Sequence, residues 1–170
     1  GIDYNHNNSK LDLKKYSKSI EKFLKVNDCK IIFEPGRSIV GNTGALICKI
    51  IYIKKNEKKD FVILDAAMND LMRPALYGAA HKILPSIKSN KISKRTYEFV
   101  GPICESTDRF ATIKKFQKLN EKDHIIICDV GAYGTSLASN YNVRPKPLEI
   151  IIKGSKIQLI NKRQKLSELM

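Results

Sequence analysis

No stretch of the chain approaches the roughly 20 apolar residues of a membrane-spanning helix, so no membrane partner is expected. The polar start, with His6, Asn7 and Asn8, has no signal-peptide character. No initiator methionine stands first, and Gly1 is expected to be an internal residue of a longer protein. The four cysteines, Cys29, Cys48, Cys104 and Cys128, form no C-x-x-C pair. That excludes the usual zinc spacing, so no metal is expected. A disulfide framework is not expected in a domain of this size, and the compartment is read as a reducing cytoplasm. Arginine is scarce, at six of 31 basic residues. No RNP, zinc-finger or helix-turn-helix signature accompanies the net charge of +14. The charge is therefore read as lysines dispersed over the surface, not as a nucleic-acid face. Internal repeats and low-complexity tracts are absent too.

What is present begins with size. The 170 residues, 42% of them hydrophobic, suffice for one packed domain or one and a half. They fall short of the roughly 250 residues of a complete (β/α)8 barrel. The stretch Ile31-Ile32-Phe33-Glu34-Pro35-Gly36-Arg37-Ser38 organises the rest. Its bulky apolar run predicts a buried strand over Lys30–Phe33, stopped by Pro35-Gly36. Ser38 is placed to cap a helix beginning at Ile39-Val40. Glu34 and Arg37 would then meet at the carboxyl end of a strand, where α/β proteins bind ligands. Arg37 and free backbone N–H groups suit an anion, and Glu34 suits a protonated ring nitrogen. Pyridoxal phosphate carries both groups. A strand, a turn and a surface ion pair would account for the same eight residues.

Along the chain, Gly1 to Asn8 reads as a polar loop and Ser9 to Val26 as an amphipathic helix, with Leu13, Tyr16, Ile20, Phe23 and Leu24 on one face. After the Glu34 turn, Ala45 to Lys54 and Phe61 to Leu64 read as strands joined by a charged turn. A domain boundary is expected near residue 45. Asp65 to Tyr77 reads as a loop entering a helical turn at Pro74, with Arg73 and Tyr77 on one side of it. Ile83 to Lys94 reads as a polar connection and Thr96 to Val100 as a strand. The segment from Gly101 to Asp108 is a turn and Lys114 to Asp123 a polar loop. Ile125 to Cys128 is a buried strand, and Ser136 to Asn140 a possible helical turn. Leu148 to Lys153 and Lys156 to Ile160 form a final hairpin, followed by a short helix within Arg163 to Met170. From residue 45 onward the expectation is mainly antiparallel β structure.

Five separated segments agree in order and spacing with one family. They are Glu34-Pro35-Gly36-Arg37; Asp65-Ala66-Ala67-Met68-Asn69-Asp70-Leu71 with Arg73-Pro74-Ala75-Leu76-Tyr77; Gly101-Pro102-Ile103-Cys104-Glu105-Ser106; Gly131-Ala132-Tyr133-Gly134; and Ala138-Ser139-Asn140-Tyr141-Asn142 with Arg144-Pro145. Together they resemble the C-terminal part of the diaminopimelate decarboxylases. These belong with ornithine decarboxylase and alanine racemase among the fold type III pyridoxal-phosphate enzymes. The resemblance implies α/β plus all-β architecture. Residues 1–45 would be the last piece of a (β/α)8 barrel, with Gly1 closing its phosphate loop. Residues 46–170 would be a β barrel or sandwich of the alanine racemase C-terminal type.

The resemblance also implies roles. Glu34 is similar to the partner of the pyridine nitrogen, where a carboxylate favours the protonated ring. Pro35, Gly36 and Arg37 match the cofactor-phosphate segment, and Arg37 also matches a substrate contact. Tyr133 matches a residue that touches both cofactor and substrate. Arg73, Tyr77 and Glu105 match substrate contacts. Arg and Tyr suit a distal carboxylate and Glu105 a distal ammonium, which fits meso-diaminopimelate better than ornithine. Cys104 matches the proton donor, contributed across the interface of a homodimer with shared active sites. The adjacent Glu105 is expected to help keep that thiol protonated. Cys29, Cys48 and Cys128 are expected in the core, and His6, His81 and His124 on the surface or in loops. The family's Schiff-base lysine and ring-stacking histidine lie in a barrel segment that has no counterpart here. The implied activity is decarboxylation to L-lysine and carbon dioxide, and this chain alone is expected to be inactive. Two other readings stand beside it: an inactive remnant that acts as a dimerisation module, and a basic nucleic-acid-binding protein.

Overall fold

The computed structural model describes residues 12–170. The expected phosphate-loop glycine Gly1, the loop through Asn8 and His6 lie outside the described residues. Helix α1 (Leu13–Val26) starts after Asp12, whose carboxylate accepts from the N–H groups of Lys14 and Lys15, both at 3.1 Å. A side chain that satisfies two of the first free N–H groups fixes where a helix begins.

The expected strand over Lys30–Phe33 is not formed; residues 27–36 join no helix or strand. A strand needs neighbours for its N–H and C=O groups, and no described strand lies alongside. Ile32 and Phe33 remain exposed, with Phe33 edge-on to Tyr16 at 6.1 Å. Ser38 is not a helix cap either. The chain turns through residues 37–40 into a single 3-10 turn, Gly41–Thr43, whose N-terminus carries no side-chain cap.

From Ala45 the chain builds one six-stranded sheet. Its strands are β1 (Ala45–Lys55), β2 (Asp60–Leu64), β3 (Ile83–Pro85), β4 (Tyr97–Val100), β5 (Arg109–Ile113) and β6 (His124–Cys128), and helix α2 (Arg73–Tyr77) lies between β2 and β3. The spatial order is β3-β6-β1-β2-β4-β5. All pairs are antiparallel except β2 with β4, which is parallel. The edge strand β3 stands where a polar connection is expected, and the sequence pattern does not show β5. Ile83-Leu84-Pro85 is too short to show an alternation, and Arg109 and Thr112 dilute the apolar signal of β5. A separate hairpin joins β7 (Glu149–Lys153) to β8 (Lys156–Asn161) through the left-handed Gly154.

The period-2 alternation drives one face of the sheet inward. Cys48 and Ile50 of β1, Val62 and Leu64 of β2, Phe99 of β4, and Ile125 and Ile127 of β6 are completely buried. Phe99 stands edge-on to Tyr97 at 6.3 Å and to Phe116 at 5.4 Å, an arrangement that ring quadrupoles favour. Two carboxylates at the β2–β4 seam are buried with cations. Asp60 takes Arg95 at 2.9 Å, and Glu98 takes Lys59 and Arg109. One expectation about a single residue is corrected: Cys29 is exposed rather than in the core, since it follows the helix on the unpaired stretch. His81 lies in a loop, as expected, and is buried there, because the segment ahead of β3 runs beside the end of β6.

Candidate functional site

The register gathers the motif segments at one end of the sheet. Ala45, at the start of β1, pairs with Cys128 at the end of β6. Ile63 near the end of β2 pairs with Val100 at the end of β4, and Val100 with Arg109 at the start of β5. The turn before β1, the loop after β2, the β4–β5 turn and the loop after β6 therefore leave from the same edge.

Backbone contacts then lock the first group of side chains. Val130 N–H donates to Gly44 O at 3.1 Å and Gly131 N–H to Gly41 O at 2.9 Å. A Cβ on Gly131 would collide with Val40 O, and one on Gly44 with the Gly131 backbone. Two glycines at this crossing let the loop after β6 lie directly on the turn after Arg37. Tyr133 follows in a left-handed conformation at φ 59°, and its hydroxyl lies 3.6 Å from where a Cβ of Gly36 would stand. The Arg73 guanidinium lies over two phenol rings, 5.3 Å from the centre of Tyr77 and 5.5 Å from that of Tyr133. Helix α2 produces the first contact through its i, i+4 spacing, and Gly78 at φ 61° ends the helix there. Beneath lies His81, with Nδ1 2.9 Å from Cys128 O. Burial, with the charges of Arg73 and Arg37 also acting on it, holds the ring's pKa below the usual histidine value. Glu34 is exposed on the stretch just ahead.

The second group is the β4–β5 turn. Cys104 and Glu105 are exposed on it. Glu105 accepts from the Tyr141 hydroxyl at 2.5 Å, which raises the Tyr141 pKa. Asp108 ties the turn to the loop after β2, accepting from Met68 N–H at 2.7 Å and Ile103 N–H at 2.8 Å. That loop is held from its other side by Arg144. The guanidinium donates to Asn69 Oδ1 at 3.0 Å and Asp65 O at 2.6 Å and lies 3.7 Å from Asp70. Sequence reasoning gave no role to Asp108, Arg144, Tyr141 or His81. An Asp closing the Gly-Pro turn, and an Arg ahead of Pro145, were the only signals available.

Among the described residues no group of three His, Cys, Asp or Glu side chains could hold a metal ion. The donor set of the first group fits a phosphorylated aromatic ligand. It offers two guanidiniums, two phenols and an exposed glycine backbone, and Glu34 precedes that glycine by two residues.

The family model of the pyridoxal-dependent decarboxylase C-terminal sheet domain matches residues 9–131. The chain belongs to this family. It is 42% identical over 170 residues to the diaminopimelate decarboxylase of Neisseria meningitidis serogroup B, covering 100% of this chain and 40% of that protein. Among solved structures, the Helicobacter pylori diaminopimelate decarboxylase complexed with L-lysine superposes with a TM-score of 0.86 at 46% identity, covering 99% of this chain and 41% of that one. The corresponding enzyme of M. jannaschi gives 0.85 at 34% identity, with coverage of 99% and 40%. The chain thus spans about 40% of the length of the decarboxylases it matches. Fold type III architecture of the sheet domain follows, and the family's cofactor is pyridoxal phosphate.

Proposed function

We propose that this chain forms the C-terminal part of a pyridoxal-phosphate-dependent diaminopimelate decarboxylase, acting in the cytoplasm on meso-2,6-diaminopimelate to give L-lysine and carbon dioxide. The observation that carries the reading is the Arg73 guanidinium over the rings of Tyr77 and Tyr133, with the Tyr133 hydroxyl beside Gly36. It is an anion clamp in a chain 42–46% identical to enzymes of that name. In this reading residues 1–45 belong to the cofactor barrel and residues 46–170 are the β domain. No helix of the described residues is long and apolar enough to cross a membrane.

Pyridoxal phosphate, when bound, supplies the electron sink that lets the α-carboxylate leave as carbon dioxide. Glu34 holds the proton on the ring nitrogen. Gly36 and Arg37 receive the phosphate, and Tyr133 packs beside both cofactor and substrate. Arg73, with Tyr77, binds the distal carboxylate and Glu105 the distal ammonium; Arg37 is a further substrate contact. Cys104 Sγ delivers a proton to the carbon that lost its carboxylate. Cys104 and Glu105 stand on a different segment from the Arg73–Tyr133 group. A homodimer in which each turn completes the partner's site gives them a place in the chemistry.

The test is a chimera in which this chain replaces the part of the Helicobacter pylori enzyme that it matches. With pyridoxal phosphate it is expected to release carbon dioxide from meso-diaminopimelate and not from L-ornithine. A folded, cofactor-loaded chimera that releases none overturns the proposal.

A further inference from the structure

We propose that Asp108 is a positioning residue, whose carboxylate braces the turn bearing Cys104 and Glu105 against the loop that leads into Arg73. The inference deepens the decarboxylase reading and rests on it for its catalytic consequence.

Asp108 is 3% exposed. Its two carboxylate oxygens are used separately. Oδ1 accepts from Met68 N–H at 2.7 Å and Oδ2 from Ile103 N–H at 2.8 Å. Met68 lies three residues after Asp65 and five before Arg73, and Ile103 directly precedes Cys104. The backbone of Asp108 closes the same turn: its carbonyl accepts from Gly101 N–H at 3.0 Å and its N–H donates to Glu105 O at 3.1 Å. Gly101 completes the device. A Cβ there would run into both carboxylate oxygens, so the space above this glycine is what the carboxylate fills. One side chain therefore holds both segments at hydrogen-bond length from its carboxylate, and one of them carries the proposed proton donor.

The chemistry explains the residue type. Two backbone donors converge from different segments, and only a carboxylate of this length offers an acceptor to each. An asparagine would keep one bond and turn its own amide N–H toward the other donor. A glutamate carries an extra methylene into a filled space. A shift of about 1 Å in a reacting group can cost on the order of a hundredfold in rate. Loss of one arm of the brace should therefore appear in turnover, while the Gly36–Arg37 and Tyr133 segments stay in place.

The experiment has two arms. In this chain, amide hydrogen exchange at Met68 and Ile103 is compared between wild type and Asp108→Asn. Exchange is expected to quicken at one or both amides, and unchanged exchange at both overturns the brace. In the chimera, Asp108→Asn is expected to lower kcat at least tenfold while cofactor affinity stays within about twofold. A lesion that merely unsettled the fold would weaken both together. A kcat within about twofold of wild type, with quickened exchange, overturns the positioning role. Gly101→Ala supplies an independent variant if Asp108→Asn folds poorly. Its effect should be large alone and small beside Asp108→Ala, because it acts through the carboxylate, and additive losses overturn the brace. If the wild-type chimera is silent, the decarboxylase reading fails, and the exchange arm still decides the brace.

Discussion

Replacing Arg144 by methionine removes three interactions while keeping most of the side-chain bulk. The guanidinium reaches Asn69 Oδ1 at 3.0 Å, Asp65 O at 2.6 Å and Asp70 Oδ2 at 3.7 Å. Asn69 is completely buried, so its oxygen would lose its donor out of reach of water, which costs about 1–3 kcal/mol. The Asp70 pair is worth less. Arg144 keeps 28% of its side chain exposed, and Asp70 retains bonds from Ala67 N–H at 2.9 Å and Asn69 Nδ2 at 3.2 Å. About 1 kcal/mol is a fair allowance for it. The sum is a loss of about 2–4 kcal/mol, or roughly 5–15 °C in Tm for a chain of this size. Urea unfolding should show a lower midpoint with an unchanged slope. Arg144→Lys should recover little, because one ammonium cannot fork between the two oxygens. The loss should also depend on pH. Burial raises the Asp70 pKa, and Arg144 opposes that rise. Without the cation the ionised carboxylate is costlier still, so the loss is largest where Asp70 is charged and shrinks as acidification protonates it. A loss below about 0.5 kcal/mol at neutral pH, with unchanged slope, would refute the view that this guanidinium holds the loop.

Gly131→Ala should lower Tm by several degrees and weaken cofactor binding in the chimera, since the new methyl meets Val40 O and carries Tyr133 away with the loop. His81 is buried with a lowered pKa, so the unfolded chain takes up its proton first. Its contribution to stability is complete above the ordinary histidine pKa and is lost as pH falls below it, by up to about 1.4 kcal/mol per pH unit. The fall in Tm between pH 7.5 and 5.5 should therefore be smaller in His81→Asn than in wild type. Cys104→Ala in the chimera should leave cofactor affinity unchanged and depress steady-state formation of L-lysine from diaminopimelate by about a hundredfold or more, since protonation follows loss of the carboxylate. Tyr141→Phe should raise KM for diaminopimelate several-fold with little change in kcat, because the phenol that steadies Glu105 is lost while Cys104 stays in place.

The central strands were legible because their burial is local. Ala45–Lys55, Tyr97–Val100 and His124–Cys128 carry enough apolar, β-branched or aromatic residues to declare a face. Ile31-Ile32-Phe33 carries the same signal and forms no strand here, because pairing depends on which segments lie beside it. The motif residues could be picked out one by one, and the i, i+4 pairing of Arg73 with Tyr77 followed from helix geometry. The supports could not. Asp108 binds Met68 from 40 positions away, and Arg144 binds Asn69 across 75. No local pattern requires either. His81 sits among loop residues by composition, yet the return of the chain beside β6 buries it.

The decisive feature that the sequence conceals is strand direction. An alternation of apolar residues says which side of a strand faces the core, not which way the strand runs. β2 and β4 are parallel, Ile63 opposite Val100. With β4 reversed, the Gly101–Asp108 turn would leave from the far edge of the sheet, about four residues of strand, or roughly 13 Å, from the loop after β2. Asp108 could not then reach Met68, and Cys104 would stand at the opposite end from Arg73 and Tyr133. One parallel pair in an otherwise antiparallel sheet thus gathers the motif-bearing loops at one end. The long connection from β2 through α2 and β3 to β4 is what makes that pair possible, since a tight hairpin can join only antiparallel neighbours.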